Sequence, residues 1–190
     1  MSTSRRNEKF DIQGINHLAL VCKDMKRTVD FYSGLLGMPL IKTINLPGGS
    51  GQHFFFDVGN GDALAFFWFA DAPDSVPGVT HPAHIIGQGS LTTAHASMNH
   101  VAFNVAADRI DDYQRKLEAA GITCTPVVNH DESPHQASSR ITPSTYVRSI
   151  YFNDPDGVML EFAAWTREMG AGDILVDPVD ASGVPVPRQA

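Results

Sequence analysis

Two histidines and one glutamate in this chain have the residue types and surroundings of a single metal site. His17 lies in the apolar run GINHLALV, His100 in the similar run MNHVAFNV, and Glu161 in GVMLEFAAW. Two imidazoles and one carboxylate leave coordination positions open on a divalent metal, iron(II) above all. A carboxylate is costly to bury unpaired, and a metal ion relieves that cost. The three residues therefore predict redox or Lewis-acid chemistry at one ion.

Each histidine-bearing run begins one copy of an internal repeat. An Asp, a helical stretch and a Gly follow, with the same spacing in both copies: Asp24 to Gly37, and Asp108 to Gly121. Aspartate caps the first turn of a helix, and glycine closes the last turn. The repeat therefore predicts two helices, each with one apolar face to bury.

Three strand-like runs follow each predicted helix. They cover residues 38–45, 52–58 and 62–69 in the first copy, and 122–128, 147–153 and 158–165 in the second. β-branched and aromatic side chains dominate these runs, and turns rich in Gly, Asn, Asp and Pro join the last two strands of each copy. Each copy is predicted to fold as strand, helix, strand, strand, strand, which makes an α+β protein.

This pattern resembles the vicinal oxygen chelate superfamily, which includes glyoxalase I, extradiol dioxygenases, and the fosfomycin and bleomycin resistance proteins. The resemblance implies two tandem βαβββ modules whose curved mixed sheets pair around a metal. In that family the ligands come from the first strand of each module and the last strand of a module, where His17, His100 and Glu161 stand. The implied organisation is an N-terminal tail (1–13), one domain (14–166) and a C-terminal tail (167–190), with module one at 14–70, a connecting loop at 71–97 and module two at 98–166.

The first module does not supply a fourth ligand. When FFDVGNGDALAF is overlaid on YFNDPDGVMLEF, Glu161 falls opposite Ala65. Family members with glyoxalase or epimerase activity usually have a carboxylate or an amide at that position. Three protein ligands leave more room for substrate and dioxygen, which favours the dioxygenases or the fosfomycin-type transferases.

The stretch from Tyr151 to Glu161, YFNDPDGVMLE, resembles the signature of the extradiol dioxygenases. The resemblance implies that Tyr151 is a catalytic residue whose hydroxyl reaches an oxygen of the bound substrate. The signature also has an acid–base histidine upstream, where this chain reads Thr-Pro-Ser. His135, or alternatively His130, in the loop NHDESPHQ is the candidate to replace it.

The leading hypothesis is an iron(II)-dependent extradiol-type dioxygenase that acts on a catechol or a related small aromatic diol, with dioxygen as co-substrate. Histidine and carboxylate ligands also accept Mn, Ni, Zn or Co. A glyoxalase-like lyase or isomerase, or a thiol transferase, is therefore the alternative. A non-catalytic drug-binding resistance protein would keep the fold without the ion. A homodimer is common among members of the family.

Composition indicates a single globular domain. The chain has 190 residues, of which 43% are hydrophobic, enough for one substantial core. A net charge of −7 without a basic cluster argues against nucleic acid or an anionic membrane as partner. We see no segment apolar enough for a secretory signal or a membrane span, so the expected location is the cytoplasm. Cys22 and Cys124 are the only cysteines, which favours reduced thiols over a disulfide framework.

Overall fold

A computed structural model describes residue 10 and residues 12–187 of the chain. Its strands and α-helices all belong to one compact unit, Gln13–Thr166. In chain order they are β1 (His17–Val21), α1 (Met25–Val29), β2 (Leu40–Asn45), β3 (Gly51–Gly59), β4 (Asp62–Phe69), β5 (Val101–Asn104), α2 (Ile110–Ala119), β6 (Val128–His130), β7 (Val147–Asn153) and β8 (Met159–Trp165). A second unit contains the described terminal residues, where a 3₁₀ turn spans Ala171–Asp173.

Two four-stranded mixed sheets form the framework, with strand orders β1-β4-β3-β2 and β5-β8-β7-β6. In each sheet the first strand of the module runs parallel to the last, and the other neighbours are antiparallel. The predicted α+β fold with two equivalent modules is therefore confirmed. The strands β1 and β5, which begin at the two histidine runs, both lie at a sheet edge.

The helix ends follow the predicted signals with one correction. The Asp24 carboxylate accepts a hydrogen bond from the Arg27 backbone N–H, and Gly37 and Gly121 take the left-handed conformation, with φ of 76° and 78°. Asp108 does not cap the second helix as predicted. It lies inside a 3₁₀ turn, so the chain is already wound before α2 begins at Ile110.

The predicted strand at 122–128 is wrong over most of its length. Cys124 makes an isolated bridge to Phe152, and a regular strand begins only at Val128 and continues to His130. Pro126 interrupts the segment, and proline has no backbone N–H to donate to a ladder.

One hydrophobic core joins the two modules. Aromatic side chains of the first module, such as Tyr32 and Phe56, pack in the same buried cluster as Ile150 and Phe152 of the second. The Tyr32 hydroxyl donates to Asp154 Oδ2 at 3.0 Å, which adds a buried polar link between the modules. Because side chains alternate along a strand, each sheet keeps a second face away from this core, which we call its non-core face.

No helix in the described residues combines the length and apolarity that crossing a membrane requires.

Candidate metal centre

His100 and Glu161 meet on the non-core face of the second sheet. β5 and β8 are parallel neighbours in which Ala102 stands opposite Glu161, so His100 lies two residues away on the same face. His100 Nε2 is 3.0 Å from Glu161 Oε2. The carboxylate is buried, whereas the imidazole is partly open to solvent. Two of the three predicted ligands therefore direct donor atoms at one point.

Hydrogen bonds keep the Glu161 carboxylate ionised despite its burial. Burial acts to raise the pKa of Glu161, but hydrogen bonding from His100 and Tyr151 outweighs it, so the pKa is lowered overall. Burial and the charge of Glu161 together raise the pKa of Tyr151. The site therefore pairs an anionic oxygen ligand with a phenol that stays protonated.

Tyr151 stands directly opposite Glu161 in the β7–β8 pair, as the hairpin in the sequence suggests. His130 Nε2 lies 3.1 Å from the Tyr151 hydroxyl oxygen, and the two rings meet edge to face. Four side chains therefore form a continuous polar row, which we call the second-sheet row: His130, Tyr151, Glu161 and His100.

The other candidate histidine of this loop takes no part in the row. His135 lies in an exposed turn, and no contact joins it to Tyr151 in the described part of the chain. His130 differs because β6 extends past residue 128, which sets His130 opposite Val147 at the start of β7. The sequence interpretation named His130 only as the alternative to His135, because it ended the strand at Val128 and left both histidines in a loop.

His17 lies on the first sheet and not beside the other two predicted ligands. It is exposed, its Nδ1 contacts Asn16 Oδ1 at 2.8 Å, and its ring meets Phe55 edge to face at 5.5 Å. Within residues 10 and 12–187, no three His, Cys, Asp or Glu side chains gather closely enough to hold a metal ion. A single chain thus brings together two of the three predicted ligands.

Aromatic rings cover much of the non-core face of the first sheet around His17. His53 stacks on Phe67 with a centroid distance of 3.6 Å, and Phe67 stacks on Phe69 at 5.3 Å. Burial lowers the pKa of His53, so its ring is neutral at pH 7 and adds to this apolar surface. We call His53, Phe55, Phe67 and Phe69 the first-sheet aromatic face.

Asparagines beside both histidines are functional candidates that sequence reasoning missed. Asn99 Oδ1 lies 2.8 Å from His100 Nδ1, which matches the contact between Asn16 and His17. The signal was present in the repeat, because both histidine runs contain the dipeptide Asn-His.

The family to which the chain belongs is shown by a match over most of its length. Residues 14–162 match the profile of the Glyoxalase/Bleomycin resistance protein/Dioxygenase superfamily. The chain is a member of that superfamily, which confirms the resemblance seen in the sequence.

Curated relatives carry names from different branches of this superfamily. The metallothiol transferase FosB of Lysinibacillus sphaericus is 27% identical over 157 residues, covering 83% of this chain and 86% of its own. The fosfomycin resistance protein FosX of Listeria monocytogenes is 25% identical over 162 residues, covering 83% and 93%. The putative ring-cleaving dioxygenase MhqE of Bacillus subtilis is 25% identical over 115 residues, 58% of this chain, which spans only 33% of MhqE.

Solved structures share the fold at low identity. A glyoxalase family protein from Enterococcus faecalis matches with a TM-score of 0.56 and 21% identity, over 80% of this chain and 97% of its own. A mutant of FosX from Listeria monocytogenes, complexed with Mn(II) and 1S,2S-dihydroxypropylphosphonic acid, matches with a TM-score of 0.50 and 22% identity, over 82% and 94%.

Proposed function

We propose that this protein is an iron(II)-dependent extradiol-type dioxygenase that acts on a catechol or a related small aromatic diol. The observation that carries the proposal is the second-sheet row, in which a histidine and a protonated tyrosine adjoin two candidate metal ligands. An acid–base pair beside a metal with open positions is what oxidative ring opening of a diol requires.

The donor set of the row fits a divalent cation. An amide oxygen only accepts hydrogen bonds, so Asn99 Oδ1 implies a proton on His100 Nδ1 and leaves the lone pair of the neutral ring on Nε2. That lone pair faces the Glu161 carboxylate across 3.0 Å. Two electron-pair donors at this distance are stable only around a shared cation, which is a proton or a metal ion.

His17 of a second copy of the chain completes this set. The side chain is exposed on an edge strand, at the repeat position equivalent to His100. Apolar side chains of the same module, including Val21 and Ile44, are 51% and 36% exposed. A homodimer that joins the first sheet of one copy to the second sheet of the other would cover them and bring three ligands together.

A bound iron(II) would supply a Lewis acid that lowers the pKa of the diol hydroxyls and a coordination position for dioxygen. Side chains of the protein would stabilise the developing charge and transfer protons. Tyr151 donates its hydroxyl proton as a hydrogen bond to a substrate oxygen as negative charge develops there. His130, in contact with the same hydroxyl, accepts and returns a proton during ring opening.

The first-sheet aromatic face favours an aromatic substrate over an anionic one. Its rings offer a flat apolar wall beside His17, suited to stacking against a diol ring. Among the strand residues whose side chains lie on the two non-core faces, Lys42 is the one lysine or arginine in the described part of the chain. A phosphonate would call for several such donors.

Oxygen uptake tests the reaction directly. The purified protein is loaded with iron(II) without air and then given a panel of catechols with dissolved oxygen. We expect dioxygen consumption equimolar with loss of the diol, and a yellow ring-opened product. Uptake no greater than that of Glu161→Ala across the panel would refute the dioxygenase.

Mixing two inactive variants tests the shared site. His17→Ala and Glu161→Ala each lack one ligand, but a mixed dimer has one intact site and one doubly defective site. Co-refolded in equal amounts, they should regain roughly a quarter of wild-type activity, since half of the dimers are mixed and half of their sites are intact. No recovery on mixing would contradict the second-copy assignment.

The second candidate is a thiol transferase of the fosfomycin-resistance type that uses Mn(II), the ion in a related solved structure. It is favoured by two relatives that match over most of both lengths and are named as a metallothiol transferase and a fosfomycin resistance protein. Consumption of fosfomycin by the Mn(II)-loaded protein, with or without a thiol, and no oxygen uptake with catechols, would select it.

A further inference from the structure

The two asparagines that touch the histidines are held in different ways. Asn99 Nδ2 donates to the backbone carbonyl of Leu91 at 2.8 Å. A carbonyl oxygen cannot donate, so this contact fixes the orientation of the amide and leaves Oδ1 facing His100. Asn16 is exposed, and in the described part of the chain its side chain has its hydrogen bond to His17 and no second anchor.

The anchor of Asn99 belongs to the connecting loop. Leu91 packs in a small hydrophobic cluster in which Ile85 of the same loop covers Tyr151 and Met159. A chain of contacts therefore runs from the loop, through the Leu91 carbonyl and the Asn99 amide, to the imidazole of His100. The loop that packs against Tyr151 of the second-sheet row is thus joined to one of the row's proposed ligands.

We propose that Asn99 is a positioning residue for His100: it holds the imidazole in the tautomer that presents Nε2 to a divalent cation, and it ties that ligand to the connecting loop. The proposal rests on the metal centre proposed above and adds a residue that acts through its ligand. Metal-binding histidines usually donate their other N–H to a fixed acceptor, and loss of such an acceptor costs about 10- to 100-fold in metal affinity.

Three variants of the full chain separate the parts of this role. Asn99→Leu removes both the acceptor for His100 and the donor for Leu91. Asn99→Asp keeps an acceptor for Nδ1–H but cannot donate to the Leu91 carbonyl. Asn16→Leu is the matched control, because it breaks the equivalent contact where the amide has no second anchor.

Calorimetric titration with Mn(II) alone measures the effect on affinity, with far-UV circular dichroism to verify folding. We expect Asn99→Leu to bind about 10- to 100-fold more weakly than wild type, and Asn16→Leu to lose less than about tenfold. Asn99→Asp should retain most of the affinity but show faster amide hydrogen exchange across residues 85–94. Equal Mn(II) affinity in wild type and Asn99→Leu would overturn the proposal.

A measurement without metal distinguishes this inference from the metal centre itself. Long-range ¹H–¹⁵N spectra of the histidine rings, recorded at alkaline pH in the Glu161→Ala background, report which nitrogen carries the proton when no carboxylate competes for it at Nε2. Glu161→Ala should hold His100 as the Nδ1–H tautomer, and the double variant Asn99→Leu/Glu161→Ala should lose that preference. An unchanged His100 tautomer in the variant refutes the positioning role. Failure of wild type to bind Mn(II) or iron(II) refutes the metal centre, whatever the tautomer does.

Discussion

The two modules have the same fold, but only the second carries the polar row. At equivalent positions the first sheet has Ala65 where the second has Glu161, and Phe55 where the second has Tyr151. The first sheet contributes an exposed histidine and a wall of rings, whereas the second contributes converging donors. The repeated fold therefore allows the two sheets to differ in role: the first offers an apolar wall, and the second keeps the polar groups.

The hairpin turn of the second module is also held by more side-chain hydrogen bonds than the hairpin turn of the first. In the second module, Asp154 accepts from the Tyr32 hydroxyl and from the backbone N–H of Asp156 and Val158. The Lys23 backbone N–H also donates to Asp156. The first hairpin turn is exposed, with Asn60 at φ 56°. The turn that leads to the proposed ligand is the one that is firmly held.

Replacing Glu161 of the second sheet by the alanine found at the equivalent position of the first should have the largest effect on metal binding and activity. Glu161→Ala reproduces Ala65 and removes the one carboxylate donor. We expect metal affinity to fall by at least about 100-fold, more than the loss of an outer partner causes, and turnover to disappear. Calorimetry with Mn(II) and an activity assay measure both. Glu118→Ala, on the exposed face of α2, is the control and should be unaffected; parallel losses in both variants would contradict the assignment.

Loss of His130, at the end of β6, should have the next largest effect. His130→Gln removes the acid–base group beside Tyr151 and should lower kcat by about 10²- to 10⁴-fold with metal content unchanged. His135→Gln, five residues further along in an exposed turn, should retain wild-type kcat. Equal effects of the two substitutions on kcat would argue against a role specific to His130.

Tyr151→Phe makes the second sheet match Phe55 of the first. The phenyl ring is retained while the donor to developing charge is lost, so kcat should fall by about 10²- to 10³-fold. Metal affinity should change much less, because both candidate ligands remain. Steady-state kinetics and a Mn(II) titration of the same preparation separate the two quantities. A variant with full kcat would remove Tyr151 from the catalytic machinery.

Tyr32→Phe loosens the second turn and should have the smallest effect, mainly on stability. Loss of the buried hydrogen bond to Asp154 should lower the free energy of unfolding by about 1–2 kcal/mol. Urea denaturation measures it. Tyr113→Phe on α2, where the ring packs against Phe162, is the control and should be close to neutral.

The stability of Tyr32→Phe should depend on pH more strongly than that of wild type, through Asp154. Burial raises the pKa of Asp154 above its ordinary value, so the folded state holds this proton more tightly than the unfolded state. Stability from this group is therefore greatest below the unfolded pKa and falls as pH rises through the folded pKa. The Tyr32 hydrogen bond opposes the rise in the pKa of Asp154, so Tyr32→Phe should show a steeper loss of stability as pH rises above the ordinary pKa of an aspartate. A smaller slope than wild type would contradict this account.

The sequence predicted the framework and three strand-borne ligand candidates because short-range patterns encode both. Alternating apolar residues and hairpin turns set Tyr151 opposite Glu161, and the structure has that register. The sequence offered His130 only as the alternative to His135, since Pro126 delays the strand and no local pattern marks its new start. The contact between Asn99 and Leu91 was equally hidden, because it depends on how a long loop returns to the sheet.

β1, which begins at His17, belongs to a different sheet from the strands that carry His100 and Glu161. One molecule therefore offers the proposed ion two of its three proposed ligands. Completion of the centre then obeys mass action between molecules. Specific activity would fall on dilution while every chain stays folded, and added metal would drive association, because each ion bound fastens two subunits at once.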